Sequence, residues 1–368
     1  EAAKYYQYFI NQGFKDYKVF SNYGVLLKDL GKLKEAELFT HKAIEIKPDY
    51  ADAHYNLGII LKDLGKLQEA ELSTRKAIEL NPNYTEAHSN LGNILRDLGK
   101  LQDAKLSLIK ANQLNPKSAE IKLNLGILEY VFGNIDSSLQ TLEIAHKLDP
   151  NVKNIKCLLA ILKGRKSAKH KSKAIENIKF SLFEINSNWN PVILNREVDE
   201  NLIKKIYTIK TKKATENDKY QPPIFGNTKG SDYDLFESDI QVIKSFKNDI
   251  LNIVSEYFQS DLYVGDAFFN IITPMNGIGG GNKIHSHLSR IDRIPELGIN
   301  KQKLSLVYYL SVGDQNCEEP GILRFHQPRK EILPKEGMIV IFPASRLHSI
   351  SYNGKKDRVI ISINFYLI

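Results

Sequence analysis

Two histidines stand two residues apart directly after a run of glycines. The segment GIGGGNKIHSH contains His285 and ends on His287, and three consecutive glycines precede them. On a β-strand, residues i and i+2 point to the same face, so the two imidazoles could converge on one point. Imidazole is a common metal ligand and also an ordinary hydrogen-bonding group. The spacing therefore leaves two alternatives open, a metal site and a polar patch.

A phosphate loop and a structural zinc site fit this segment less well. The glycine run is not a phosphate-binding loop, because no Lys-Ser/Thr pair follows it and no helix pattern begins there. Structural zinc takes four closed ligands, often cysteines, and neither Cys157 nor Cys317 belongs to a ligand pair.

Composition restricts the class of protein and its partners. The chain of 368 residues is long enough for two domains, and 42% hydrophobic with 26% charged residues is ordinary for a soluble globular protein. No run of about 18 apolar residues occurs, so no membrane partner is expected. Two cysteines give no disulfide framework, which predicts a cytoplasmic location.

The net charge of +8 is concentrated in the segment LKGRKSAKHKSKAIENIK, residues 162–179. No aromatic stacking residue is interleaved with these basic residues. We interpret the segment as a solvated helix and hinge, and nucleic acid is not an expected partner.

The first half of the chain repeats with a period of 34 residues. The repeated positions include the glycines Gly24, Gly58, Gly92 and Gly126 and the prolines Pro48, Pro82, Pro116 and Pro150. This pattern resembles the tetratricopeptide repeat, which implies pairs of antiparallel helices that stack into a superhelix with a binding groove. Residues 1–3 would lie in the second helix of an earlier repeat, so we expect the chain to be a piece of a longer array.

One asparagine recurs at the same place in every repeat. These residues are Asn22, Asn56, Asn90 and Asn124. A ladder of amides can bond the backbone of an extended peptide whatever its side chains, and the pattern resembles the repeat arm of the O-linked N-acetylglucosamine transferases. The resemblance implies a protein or peptide partner in the groove. The alternative is that the asparagines bond neighbouring helices within the array.

After Pro150 the 34-residue periodicity fades and the residue pattern of the chain changes. Short β-branched and aromatic runs follow one another, separated by Gly, Pro, Asn and Asp. They include LSLVYYLSV, GILRFHQ, GMIVIFPA, HSISYN and DRVIISINFYLI. Many short strands in one region predict a sandwich or jelly roll.

The strands carry a second set of residues that could do chemistry. His348 stands at a strand start far beyond the histidine pair, and Arg358 follows ten residues later. This ordered layout over about residues 180–368 resembles the prolyl-hydroxylase-like branch of the Fe(II)/2-oxoglutarate-dependent oxygenases. The resemblance implies Fe(II) as metal and 2-oxoglutarate as co-substrate.

Roles for individual residues follow from that resemblance. His285, His287 and His348 are the implied metal ligands, although the family has a carboxylate where this chain has His287. Asp292 in HLSRIDR is an alternative source of that carboxylate. For the far carboxylate of the co-substrate the candidates are Arg358, whose guanidinium forks around a carboxylate, and the hydroxyl of Tyr309 or Tyr308. Asn270 is a further candidate for the co-substrate cleft.

The expected fold class is therefore multidomain α + β. We predict a tetratricopeptide α-solenoid over 1–165, with full repeats starting near 17, 51, 85 and 119 and a capping helix at its end. A basic linker over 166–180 leads to a double-stranded β-helix (jelly roll) with flanking helices over 181–368. The predicted function is a hydroxylase whose repeat groove recruits a protein or peptide; the alternative is a non-catalytic scaffold with a degenerate barrel.

Overall fold

The chain divides into two compact units, residues 1–155 and 156–368. The computed structural model describes the following residues: 2–13, 15–170, 190–213, 224–226, 228–232, 234–273, 280–289, 291–294 and 297–368. Most of the predicted basic linker, residues 171–180, and Gly279 of the glycine run lie outside them. The domain limits predicted from the sequence stay predictions.

The first unit consists of helices that pair as the 34-residue period predicts. The helices are α1 Ala2–Asn11, α2 Tyr17–Asp29, α3 Leu33–Ile46, α4 Ala51–Asp63, α5 Leu67–Leu80, α6 Thr85–Asp97, α7 Leu101–Leu114, α8 Ala119–Val131 and α9 Ile135–Leu148. Pairs such as α2 with α3 cross closely: a Cβ at Gly24 would overlap Oγ1 of Thr40. Ala36 and Ala43 are fully buried at the same contact. Only small residues fit where the paired helices cross, which explains why glycine and alanine recur at fixed positions of the repeat.

Further helices follow the repeats. They are α10 Lys153–His170, α11 Glu200–Ile206 and α12 Gln241–Phe258. Ile243, Phe246, Ile250 and Val254 are buried on one face of α12, at the three- and four-residue spacing of an amphipathic helix. Within the described residues, no helix is both long and apolar enough to span a membrane.

The described strands of the second unit form two antiparallel sheets. The strands are β1 Val192–Asn195, β2 Lys212–Lys213, β3 Ile224–Gly226, β4 Thr228–Gly230, β5 Leu262–Ile272, β6 Gly280–His285, β7 Lys303–Ser311, β8 Pro320–His326, β9 Arg329–Ile332, β10 Met338–Pro343, β11 His348–Tyr352 and β12 Arg358–Leu367. One sheet has the order β1-β10-β7-β12-β5-β4-β2 and the other the order β3-β6-β11-β8-β9. The predicted solenoid and jelly-roll classes are both confirmed.

The two faces of β12 separate the helix-side core from the interior between the sheets. Val359, Ile361 and Ile363 pack into the core that α12 shares. Ile360 packs instead with Tyr309 and side chains of the other sheet. Alternate residues of β12 therefore face opposite sides, and this turns Arg358 and Ile360 toward the interior.

Candidate functional site

Three histidines converge between the two sheets. His285 ends β6 and His348 begins β11, and the two are direct register partners. His287 lies two residues beyond β6, where its backbone N–H donates to the carbonyl of Ala344 at 2.8 Å. Each of the three residues offers a ring nitrogen, and these atoms lie within 4.8 Å of one another. The sequence placed both histidines of the pair on one strand, whereas the structure holds His287 in the segment that follows it.

Burial favours the neutral form of two of these imidazoles, His287 and His348. Burial, followed by the electrostatic repulsion that His285 would exert on a protonated His348, lowers the pKa of His348 to about 3. Burial is also the largest cause that lowers the pKa of His287, and His348 and His285 add to it. Nδ1 of His348 lies 2.9 Å from the carbonyl oxygen of Arg346. As the donor in that contact, Nδ1 carries the proton, so Nε2 presents a lone pair toward His287 Nε2 at 3.2 Å.

Asp292 does not join this cluster of described residues. Its Oδ2 accepts hydrogen bonds from Lys303 Nζ at 2.8 Å and from the backbone N–H of Ser289 at 2.6 Å. Its Oδ1 accepts from the hydroxyl of Tyr366 at 2.8 Å. Both oxygens of Asp292 therefore already accept hydrogen bonds, and its role as the alternative carboxylate ligand stays a prediction.

Arg358 is a fully buried cation. Its side chain lies between the rings of Tyr309 and Tyr352, whose centroids are 5.1 and 5.8 Å from the guanidinium carbon. Nη1 donates to the carbonyl of Pro320 at 3.3 Å. In the described part of the chain, Nε and Nη2 have no hydrogen-bond partner. Burial lowers the pKa of Arg358, and its donor nitrogens Nε and Nη2 remain to bind an anion.

Tyr309 extends this arrangement. It is fully buried, and among the described residues its hydroxyl has no hydrogen-bond partner. Burial raises the pKa of Tyr309, against the opposing effect of Arg358. Tyr308, its neighbour, points to the helix-side core and donates to the carbonyl of Glu197. Of the two tyrosines considered from the sequence, Tyr309 is the one beside the guanidinium.

Asn270 and two residues that sequence reasoning missed complete the surroundings. Asn270 is buried on β5 and is the register partner of Ile360, two positions along from Arg358. Gly321 has a φ of +81°, and a Cβ there would overlap Arg358 Nη1. Tyr352 supplies the second ring over the guanidinium. Neither Gly321 nor Tyr352 had a distinguishing sequence signal, since each is an ordinary residue of a short strand.

The repeat asparagines differ from one another in the structure. Nδ2 of Asn56 donates to Ser21 Oγ at 3.0 Å, and Nδ2 of Asn124 donates to Ser89 Oγ at 3.3 Å. These bonds join successive repeats, as in the structural alternative. Asn22 is exposed. In the described residues, the buried Nδ2 of Asn90 has no partner, since Tyr55 occupies the place of the two serines.

Comparisons with known families agree with both units. Residues 273–366 match the 2OG-Fe(II) oxygenase superfamily. Residues 24–65, 51–84 and 74–105 match three tetratricopeptide-repeat families. The chain thus joins tetratricopeptide repeats to a 2OG-Fe(II) oxygenase domain, as the sequence predicted. No curated protein matches the chain.

Solved structures resemble the repeat unit. Pseudomonas aeruginosa pilF is 22% identical to this chain, with a TM-score of 0.39. The match covers 41% of this chain and 69% of pilF. YrrB, described as a TPR protein with an unusual peptide-binding site, is 22% identical; 50% of this chain covers 94% of it, with a TM-score of 0.38. A thermophilic TPR protein from Thermus thermophilus is 24% identical; 40% of this chain covers 80% of it, with a TM-score of 0.37. Such likenesses concern the fold of the repeats alone.

Proposed function

We propose that the chain is an Fe(II)- and 2-oxoglutarate-dependent dioxygenase that hydroxylates a protein or peptide recruited by the repeat groove. The observation that carries the proposal is Arg358, a fully buried cation with two unused donor nitrogens. It lies between the same two sheets as three clustered histidines. A cation this deep is costly unless an anion pairs with it. A dicarboxylate whose far carboxylate binds the guanidinium of Arg358 would supply this anion.

The histidine cluster fits a ferrous ion. Iron of this class takes three protein ligands on one face and keeps the other positions open. His285, His287 and His348 would hold it through neutral imidazole nitrogens, the protonation state that ligation requires. With His287 in place of a carboxylate, the ligand set carries no negative charge, so the bound ion keeps its full double charge.

The remaining site residues would bind and orient the co-substrate. When bound, Fe(II) with 2-oxoglutarate and O₂ supplies the oxidant for hydroxylation, and 2-oxoglutarate leaves as succinate and CO₂. Arg358 would fork around the far carboxylate with its unused N–H groups, and Tyr309 would donate its hydroxyl to the same group. Asn270 would line the adjacent wall. The buried aromatic residues of the adjacent core would limit access of water, and a low local dielectric would strengthen these contacts.

Metal binding and product formation test the proposal together. We expect the protein to bind Fe(II) anaerobically, then 2-oxoglutarate, and to form succinate in air. His348→Ala should abolish metal binding and turnover while the repeats stay folded. His88→Ala, in the repeat unit, is a matched control that should keep both. An unchanged iron stoichiometry in His348→Ala would contradict the ligand assignment, and metal binding without succinate would favour the non-catalytic scaffold.

Recruitment by the groove has its own test. Each amide bond to a peptide backbone contributes about 0.5–1.5 kcal/mol net, so replacing Asn56, Asn90 and Asn124 together by Ala should weaken polypeptide binding about tenfold or more. Turnover of 2-oxoglutarate without polypeptide should stay unchanged. Equal polypeptide affinity before and after the triple replacement would assign the ladder a structural role alone.

A further inference from the structure

The third histidine of the cluster lacks the support that strand pairing gives the other two. His285 and His348 sit opposite each other in the paired strands β6 and β11. His287 and the residues up to Ser289 belong to no strand. A ligand on an unpaired segment needs other contacts to hold its imidazole in place, because a small displacement of a ligand weakens a metal site.

A network of hydrogen bonds that begins and ends in the segment of His287 holds this histidine in place. The N–H of His287 donates to the carbonyl of Ala344, and the N–H of Ala344 donates to the carbonyl of Lys303 at 3.0 Å. The side chain of Lys303 then donates to Asp292 Oδ2, which also accepts from the N–H of Ser289. Ser289 is two residues beyond His287, so the network starts and ends in the same segment.

The ion pair in this network is almost completely buried. The side chains of Lys303 and Asp292 are 5% and 0% exposed, and the distance between their charged atoms is 2.8 Å. A buried ion pair is weak evidence for stability, because its desolvation offsets most of the attraction. Its better-attested effect is to select one arrangement of the groups around it. Here the groups around it are the backbone atoms that flank His287.

We infer that Asp292 and Lys303 are positioning residues that hold His287 as the third ligand of the metal site. The inference rests on the proposed function. In this chain the carboxylate does not bind the metal; it fixes the backbone of the histidine that takes its place. Because the contact to Ser289 is a short, charge-assisted hydrogen bond, it restrains the segment more strongly than a neutral acceptor would.

The test measures how replacement of the pair affects the metal site. The probe is Co(II), which reports its ligands through visible absorption, titrated calorimetrically into the full chain. Asp292→Asn with Lys303→Met removes the ion pair but leaves no unpaired buried charge, so this double variant should fold. We expect it to bind Co(II) about 10–100-fold more weakly, the usual effect of losing an outer-shell partner.

Further measurements separate positioning from general destabilisation. At saturating Co(II), the double variant should bind 2-oxoglutarate like the parent, and its absorption spectrum should resemble that of His287→Ala. Lys303→Arg, which keeps the cation, should retain Co(II) binding. Lys100→Met breaks an ion pair of 2.7 Å in the repeat unit and should leave Co(II) binding unchanged.

Three results have distinct consequences. A folded double variant with the parent's Co(II) affinity and spectrum would overturn the inference and leave the proposed function standing. Loss of 2-oxoglutarate and Co(II) binding to the same extent would also overturn it, since a general structural role predicts that result. Parent-like Co(II) binding by His287→Ala would overturn the proposed ligand set itself.

Discussion

Arg358 and Lys303 are both buried cations of the second unit, but they use their donors differently. Arg358 is 0% exposed and Lys303 is 4% exposed. Lys303 has a carboxylate partner in Asp292, whereas two donors of Arg358 have no partner in the described residues. Burial of a charge therefore does not mark a ligand site by itself. The distinguishing property is the set of donors that the fold leaves unused.

The same distinction applies to the repeat asparagines. Asn56 and Asn124 use their Nδ2 groups to bond serines of the preceding repeat. Asn90 occupies the equivalent position without such a partner among the described residues. Equivalent residues in the sequence thus divide into groups with used and unused donors.

The largest expected effect comes from removing the buried cation with unused donors. Losing one partner of a buried, hydrogen-bonded charge pair costs about 3–5 kcal/mol, or about two to three and a half orders of magnitude in affinity. Arg358→Ala should therefore raise the 2-oxoglutarate requirement at least about a hundredfold, measured by anaerobic titration and by succinate formation. Co(II) binding is the control and should persist.

Arg358→Lys sharpens this result. An ammonium keeps the charge but cannot fork around a carboxylate, so only part of the affinity should return. Parent-like titration of Arg358→Ala with 2-oxoglutarate would show that the guanidinium is structural, and the comparison with Lys303 would then fail.

A smaller effect is expected when the guanidinium is displaced and its charge is retained. A Cβ at Gly321 would overlap Arg358 Nη1, so Gly321→Ala forces the guanidinium to move. We expect 2-oxoglutarate to bind about tenfold more weakly. Gly298→Ala is the matched control: Gly298 also has a positive φ, of +60°, but a Cβ there meets nothing within 4 Å. Equal losses in the two variants would attribute the effect to backbone strain.

The asparagines should differ in what they contribute to stability. Asn56→Ala and Asn124→Ala each remove a hydrogen bond between repeats and should lower the free energy of unfolding by about 0.5–1.5 kcal/mol. Asn90→Ala removes a buried donor that has no described partner, so it should be neutral or stabilising. Denaturant unfolding followed by far-UV circular dichroism measures all three. A destabilisation of Asn90→Ala as large as the other two would erase the distinction.

The smallest expected effect is on stability and concerns Glu71, whose two carboxylate oxygens both accept hydrogen bonds. Glu71 accepts from Lys100 at 2.7 Å and from Arg75 at 3.0 Å, and the hydrogen bond from Lys100 is the largest cause that lowers the pKa of Glu71. A lowered folded-state pKa contributes stability above the unfolded value of about 4.3, and this contribution is lost as the pH falls through the folded-state pKa.

Glu71→Gln should therefore be less stable than the parent near neutral pH, and the difference should disappear in acid. Thermal melts at a series of pH values measure it. A difference that grows toward low pH would have the wrong sign for this pair.

Much of the fold was determined by the sequence alone. The period of 34 residues defines the helix pairs, because each repeat contacts only its neighbours and its pattern needs no distant partner. The strands were recognisable from β-branched and aromatic runs, and the side-chain alternation of β12 follows from strand geometry alone. The ordered set of His285, His287, His348 and Arg358 also stood in the sequence, and the oxygenase family match covers all four.

The tertiary structure decided which of these groups have unused donors. At Asp292, the fold brings Lys303 and Tyr366, 11 and 74 residues away in the sequence, to the two carboxylate oxygens. Gly321 and Tyr352 became relevant only when their strands were placed against Arg358. Hydrogen-bond satisfaction depends on side chains that are distant in sequence and adjacent in space. Residue type and spacing therefore identify candidates for a site, but only the packed sheets determine which candidates still have an unused donor or acceptor.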